Sequence, residues 1–314
     1  MSAYAIELSN ITFSYDGETD VLKGLDFQLP FGQFAVLQGI SGTGKTTLLS
    51  VINGVIPHIV PGKMTGTVYL SGEDATGYSV GKRSKFIGSV LQNAEDQIVH
   101  DRVEDEVAFG CENMGMPTEE IEKRVAEALQ KTNLKPDRST RKLSGGQKKR
   151  LSISIEFISN PSLFILDEPD SGLDGVMARE LFVQLRKIAD TGKIVIVITH
   201  TPDRVIDLFD DVIVLAKDSA RTGRLAYYGS IEDARKFFGR DTMEQIVKSV
   251  NRKEEGGDGL ADDFVLKYAG SEGSGAPVGH SPQEKATRTS QPKQAAAPLQ
   301  GDDAPIEDAE VHHG

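Results

Sequence analysis

Gly39-Ile40-Ser41-Gly42-Thr43-Gly44-Lys45-Thr46-Thr47 is the stretch whose reading decides the fold. It follows a short apolar run, Phe34-Ala35-Val36-Leu37, and leads into Leu48-Leu49-Ser50-Val51-Ile52. That order reads as buried strand, glycine-rich loop and helix, and it matches G-x-x-x-x-G-K-[ST] in full. Gly39, Gly42 and Gly44 let the backbone turn tightly and come close to a ligand. The loop N–H groups and the positive end of the following helix then form a cradle for phosphate oxygens. Lys45 reaches the β- and γ-phosphates as a point charge, and the Thr46 hydroxyl is suited to ligate Mg²⁺. A glycine-rich turn that merely mimics the pattern would lack this strand before it and this helix after it.

Outward from that loop, the pattern on both sides is that of an α/β protein. Residues 4–30 read as short strands with turns, Ile6, Leu8, Ile11 and Phe13 largely alternating and Asp16-Gly17 marking a turn. The helix after the loop should stop at about Asn53-Gly54, with loop from Pro57 to Gly66. Thr67 to Leu70 and Phe86 to Leu91 look like strands. From about Glu95 to Ser159 the periodicity becomes helical, with Val103, Val107 and Ala108 on one face and Ile121, Val125, Ala128 and Leu129 on another. A further helix is predicted from near Gly145 to just before Asn160-Pro161. Strands at Leu163–Leu166, Lys193–Thr199 and Val212–Leu215 alternate with a helix over Val176–Ala189, which implies a largely parallel sheet with the helical block inserted beside it. Leu225–Gly229 is strand-like, and Ile231–Phe238 and Met243–Val250 are predicted helices. Beyond about Ala269, Ser, Gly, Pro, Gln and Ala dominate, and a tail so poor in large apolar residues is expected to be disordered.

Composition narrows the class. A chain of 314 residues with 38% hydrophobic content can bury a sizeable core. The longest apolar run is about five residues, Ile194 to Ile198, far short of a membrane span. The first residues show no basic segment followed by an apolar one, so no signal peptide is expected. A single cysteine, Cys111, excludes an internal disulfide and suits a reducing cytoplasm. The net charge of −12 argues against a general nucleic-acid binder.

Two further stretches carry chemistry. Leu163-Phe164-Ile165-Leu166-Asp167-Glu168 is an apolar strand ending in two carboxylates. Alternation along a strand points adjacent acids in different directions, so Asp167 is expected to support a Mg²⁺ shell and Glu168 to polarise an attacking water. Without a phosphate loop nearby, the same pair would read as a solvated acidic turn. Leu143-Ser144-Gly145-Gly146-Gln147 reads first as a helix N-cap. The following Lys148-Lys149-Arg150 would oppose the helix dipole unless an anion sits there.

The ordered set GISGTGKTT, Gln92, LSGGQ, LFILDEP, Ser171-Gly172-Leu173-Asp174 and His200 resembles the nucleotide-binding subunits of ATP-binding cassette (ABC) transporters, over roughly residues 4–240. The resemblance implies a P-loop NTPase of ABC type: a mixed α/β sheet with an antiparallel β subdomain and an inserted helical subdomain at about 95–159. A helical extension over 241–269 and the tail 270–314 would follow. In that family two cassettes face head to tail and enclose ATP and Mg²⁺ between the phosphate loop of one and the LSGGQ of the other. Carried over, the ATP contacts would be Tyr15 on adenine, Gly39, Ser41, Gly42, Gly44, Lys45, Thr46 and Thr47, and, from the facing cassette, Ser144, Gly145, Gly146 and Gln147. Glu168, His200 and Gln92 would be the catalytic set, and Thr46, Gln92 and Asp167 would serve Mg²⁺. Taken singly, Tyr15 also reads as a sheet-edge aromatic, Gln92 as a polar strand end and His200 as a cap-region histidine. Two residues depart from the family pattern: Asp170 stands where threonine is usual, and Gly172 where alanine is common. Neither position supplies the main chemistry.

The implied function is an ATPase on the cytoplasmic face of the cell membrane that drives separate permease subunits and pairs with a second cassette. The alternative is a soluble ABC ATPase of translation or DNA repair. One cassette rather than two, and only about fifty residues between Gln92 and LSGGQ, favour the transporter. Glu168 together with His200 argues against a non-hydrolysing regulatory module. Within transporters, the stretch Gln92 to Gly110 resembles energy-coupling-factor importers, whereas Ile155 to Pro161 and Tyr227 to Gly239 resemble exporters of the white/multidrug group. Both readings stay open.

Overall fold

The computed structural model describes residues 4–90, 98–113 and 115–272. Their ten strands are β1 (Tyr4–Ser14), β2 (Asp20–Pro30), β3 (Phe34–Gln38), β4 (Lys63–Leu70), β5 (Glu73–Asp74), β6 (Ile87–Val90), β7 (Leu163–Asp167), β8 (Ile194–Ile198), β9 (Asp211–Lys217) and β10 (Gly223–Ser230). They form one sheet in the order β5-β4-β1-β2-β10-β9-β3-β8-β7-β6. The half running from β9 through β3, β8 and β7 to β6 is parallel. Every residue of β3 and β8 is buried, the pattern of strands covered on both faces. The other half, β5-β4-β1-β2, is antiparallel.

That antiparallel half differs from the short strands expected. Residues 4–30 form two strands of 11 residues each, whose alternation is interrupted by register shifts along the β1–β2 ladder. The loop expected from Pro57 to Gly66 is also shorter, because β4 already begins at Lys63. Gly66 has φ +92, and a Cβ there would lie 2.4 Å from the Asn10 carbonyl oxygen. Only glycine lets β4 approach β1 at this point.

The helices are α1 (Lys45–Asn53), α2 (Val55–His58), α3 (Val80–Arg83), α4 (Val103–Asn113), α5 (Thr118–Thr132), α6 (Gly145–Ile158), α7 (Gly175–Asp190), α8 (Ile231–Phe238), α9 (Met243–Ser249) and α10 (Ala261–Glu272). Helices α4, α5 and α6 pack on one another beside the sheet, as the change in periodicity predicts. Buried Glu106 of α4 accepts the N–H groups of Val99 and His100, which fixes the chain where it enters this block. Helix α10 packs on β10 through Tyr268, so the ordered C-terminal extension continues to Glu272. Residues 270–272, expected at the start of the disordered tail 270–314, belong instead to α10; Gln92 and the rest of that tail lie outside the described residues.

Register sets the site. Ile198, the last residue of β8, is level with Leu37 of β3 on one side and with Asp167 of β7 on the other. The phosphate loop, the acidic pair and His200 therefore leave the carboxyl ends of three adjacent parallel strands, where open α/β sheets form their ligand crevices.

Candidate functional site

The phosphate loop is held in shape by its own residues. Thr43 Oγ1 donates to the Ile40 carbonyl at 2.9 Å. Lys45 Nζ curls back onto the Gly39 and Ile40 carbonyls at 2.7 and 3.0 Å, so the ammonium stays at the mouth of the loop. Gly39 has φ +147, and an added Cβ would lie 2.5 Å from the Leu215 carbonyl oxygen. Its glycine is thus required by contact with β9 as well as by the turn. Burial lowers the Lys45 pKa from its ordinary value, and the charges of Asp167 and Glu168 partly offset that effect.

The acidic pair lies opposite. Asp167 closes β7, and its Oδ2 accepts from Thr46 Oγ1 at 3.0 Å. Burial pushes its carboxyl above the usual carboxylate range, against the pull of the Thr46 hydroxyl. Glu168 does not owe its different direction to strand alternation as expected. The strand ends at Asp167, and Glu168 takes φ +50, a left-handed conformation that costs roughly 1–2 kcal/mol in a residue other than glycine. Its N–H donates to the Ile198 carbonyl at 3.0 Å, which holds the turn against β8. In this position Glu168 Oε1 lies 2.7 Å from His200 Nε2.

Lys45, Thr46, Asp167, Glu168 and His200 line one cavity of about 340 Å³, together with Ser41, Gly42, Gly44 and Thr47. Tyr15 stands at its edge: its hydroxyl is 3.1 Å from Thr47 Oγ1, its ring packs edge-on to Phe13, and half of its surface is exposed. That leaves an aromatic face beside the phosphate loop.

The LSGGQ stretch lies elsewhere. None of Ser144, Gly145, Gly146 and Gln147 lines the cavity. Ser144 caps α6 in a capping box with Gln147, each taking the other's backbone N–H. Buried Gly146 packs on α7, where a Cβ would already be 3.4 Å from Leu173 and Met177. The helix start therefore presents Ser144 and Gly145 outward.

Reading the sequence missed two supports of this site. Gln38, at the end of β3, donates its amide to the Thr199 carbonyl at 3.0 Å. Asp170 accepts from the hydroxyls of Thr199 and Thr201. Nearness to the motifs was the only signal for Gln38, whereas Asp170 was marked by its departure from the family's usual threonine.

The family model described as "ABC transporter" matches residues 22–171. An inferred ABC transporter ATP-binding protein of Pyrococcus abyssi is 36% identical over 230 residues, which are 73% of this chain and 84% of that protein. The chain belongs to the ABC transporter family. A Pyrococcus furiosus relative is 37% identical over 231 residues, again 84% of its length. A Streptomyces coelicolor relative is 35% identical over 214 residues, and there the cassette spans only 38% of the relative. Among solved structures, CbiO1 of Clostridium perfringens, described as part of the ABC transporter complex CbiONQ, superposes with a TM-score of 0.65 at 29% identity, covering 76% of this chain and 96% of that one. A dimeric ATP-binding cassette in a post-hydrolysis state with ADP and Pi gives a TM-score of 0.59 at 25% identity, covering 72% of this chain and 98% of that one. This ABC chain is accordingly an ATP-binding subunit and an ATPase, and its mixed sheet with parallel and antiparallel halves is that of the ABC cassette.

Proposed function

We propose that this ATPase works as one of a pair of cassettes that drive separate membrane permease subunits from the cytoplasmic face. The observation that carries the pairing is the LSGGQ helix start lying outside the Lys45 cavity, and the hydrolytic roles rest on the Thr46–Asp167 and Glu168–His200 contacts around that cavity. Glu168 is suited to polarise an attacking water, and His200 to hold Glu168 and reach the γ-phosphate. Lys45 would neutralise phosphate charge, and Tyr15 would stack on the base.

The donor set suits Mg²⁺. Thr46 and Asp167 offer one hydroxyl and one carboxylate, hard oxygen ligands in the number Mg²⁺ takes when phosphates and waters complete its shell. Among the described residues no cluster of three or more His, Cys, Asp or Glu suggests an all-protein metal cage. When bound, Mg²⁺ supplies charge that stabilises the transferring phosphoryl group.

Pairing is supported by the LSGGQ helix start, which lies outside the Lys45 cavity, and by the dimeric state of a similar cassette. Ser144, Gly145, Gly146 and Gln147 of one cassette would close over ATP bound at Lys45 of the other, the helix start supplying donors to phosphate. A separate permease is supported by the likeness to CbiO1, which is described as part of the ABC transporter complex CbiONQ. The test is sedimentation of Glu168→Gln protein with and without ATP-Mg²⁺. A dimer that forms only with nucleotide is expected; a monomer under both conditions at high protein concentration would exclude the homodimer. Mixing Lys45→Ala with Ser144→Arg chains should restore one intact site per heterodimer.

A further inference from the structure

We propose that Asp170 is a positioning residue for His200, acting through the two threonines on either side of it. The imidazole contacts Glu168 at 2.7 Å, yet its side chain is 71% exposed. An exposed side chain is placed by its backbone, so what holds residues 199–201 decides where the imidazole sits. Asp170 Oδ2 accepts from Thr199 Oγ1 at 2.6 Å and from Thr201 Oγ1 at 3.3 Å. The first is the short O–H···O⁻ type, stronger than a neutral hydrogen bond. Thr199 Oγ1 in turn accepts the Thr201 N–H at 3.2 Å, so the three groups form one closed network around the histidine.

The Gln38 amide on the Thr199 carbonyl and the Arg204 N–H on the Thr201 carbonyl also hold this loop, and two features add weight to the Asp170 network. Beyond Ile198 the β8 ladder has ended, and Pro202 two residues after the histidine has no N–H to offer. Asp170 also belongs to the same short turn as Glu168: Ser171 N–H donates to the Glu168 carbonyl and Leu173 N–H to that of Asp170. One rigid turn thus grips the histidine loop at its base through Asp170 and its tip through Glu168. Two points of attachment fix direction as well as distance, which a single contact to the imidazole does not. Asp170 itself lines neither the cavity over Lys45 nor the adjoining one between the phosphate loop, His200 and α9, so it acts on the reaction through the groups it holds and not by contact.

The inference rests on the proposed role of His200 at the γ-phosphate, and the experiment separates the two. Phosphate release would be measured, in steady state and in single turnover, for Asp170→Ala, Asp170→Asn, His200→Ala and the Asp170→Ala/His200→Ala double variant. Asp170→Ala should lose about tenfold in kcat with KM for ATP within about twofold, the pattern of an interaction that matters in the transition state. Asp170→Asn keeps an oxygen acceptor and should stay within about threefold of the parent. In the His200→Ala background, Asp170→Ala should lower the residual rate less than about twofold, because coupled residues are not additive. Unchanged kcat in Asp170→Ala, an equal loss in Asp170→Asn, or a further tenfold loss without the histidine would each overturn the proposal. Full turnover in His200→Ala would instead overturn the role of His200 itself and the proposal with it. Should Asp170→Ala fail to fold, Thr201→Val removes one of the two hydroxyls and carries the same comparison with and without His200.

Discussion

Glu168 and His200 meet at 2.7 Å although they leave the ends of two different strands. Glu168 has stepped out of β7 into a left-handed conformation and reaches the histidine, while Asp167 stays in the strand and accepts from Thr46. Glu168→Gln keeps the size of the side chain and an oxygen for the histidine but removes the charge that polarises water. Turnover should fall by about 10²–10⁴ while nucleotide binding persists. Phosphate release and nucleotide titration measure the two separately, and near-parental turnover would move the water-activating role to another group.

Arg83 is a fully buried arginine that the sequence reading left unused. Its guanidinium donates to the carbonyls of Val51 and Ile52 at 2.6 and 2.8 Å, and also to those of Thr76 and Tyr78. The first two are carbonyls of the last turn of α1, so a cation caps the negative end of the helix whose other end carries Lys45. Arg83→Leu would leave these carbonyls without their donor. A loss of about 3 kcal/mol or more is expected in urea unfolding. A cost below about 1 kcal/mol would mean that water replaces the guanidinium.

Glu156 of α6 accepts the Ser89 N–H at 3.1 Å, just before the chain reaches Gln92. Burial raises its carboxyl from 4.5 to about 7, against the pull of that hydrogen bond. A carboxyl with a raised folded-state pKa binds its proton more tightly in the native state. Its contribution to stability is therefore present below about pH 4.5 and is lost as pH rises towards 7. The size is on the order of 3 kcal/mol. Glu156→Gln, which retains an acceptor for Ser89, should flatten this slope. Equal dependence of urea stability on pH in both proteins between pH 4.5 and 8 would refute the assignment.

Tyr268 ties α10 to the sheet. It is buried among Tyr227 and Phe237, and its hydroxyl donates to the Tyr228 carbonyl at 3.3 Å. Tyr268→Ala should cost about 3 kcal/mol by opening a cavity, and Tyr268→Phe about 1 kcal/mol. Thermal unfolding of the two variants distinguishes packing from the hydrogen bond. Equal small losses would show that α10 is held by other residues.

Much of the machinery was legible in the chain because its signals are local. A strand, a glycine loop and a helix in succession are set by neighbouring residues, so GISGTGKTT named both the fold and the position of Lys45. Capping is equally local, and the start of α6 at Gly145 follows from Ser144 and Gln147, three residues apart. The motif order carried the family in the same way.

The tertiary structure decided what depends on strand order. Thr46 and Asp167 are 121 residues apart in sequence, and they meet because β8 lies between β3 and β7 with Ile198 level with both. The left-handed turn at Glu168, held by the Ile198 carbonyl, and the two threonines held by Asp170 are contacts across that order, and the burial of Arg83 at the end of α1 is likewise a contact between separate elements. Side-chain type and spacing set which groups are available within one element. Which of them face each other across elements is fixed only when the sheet closes its register, because a hydrogen bond needs its partner within about 3 Å.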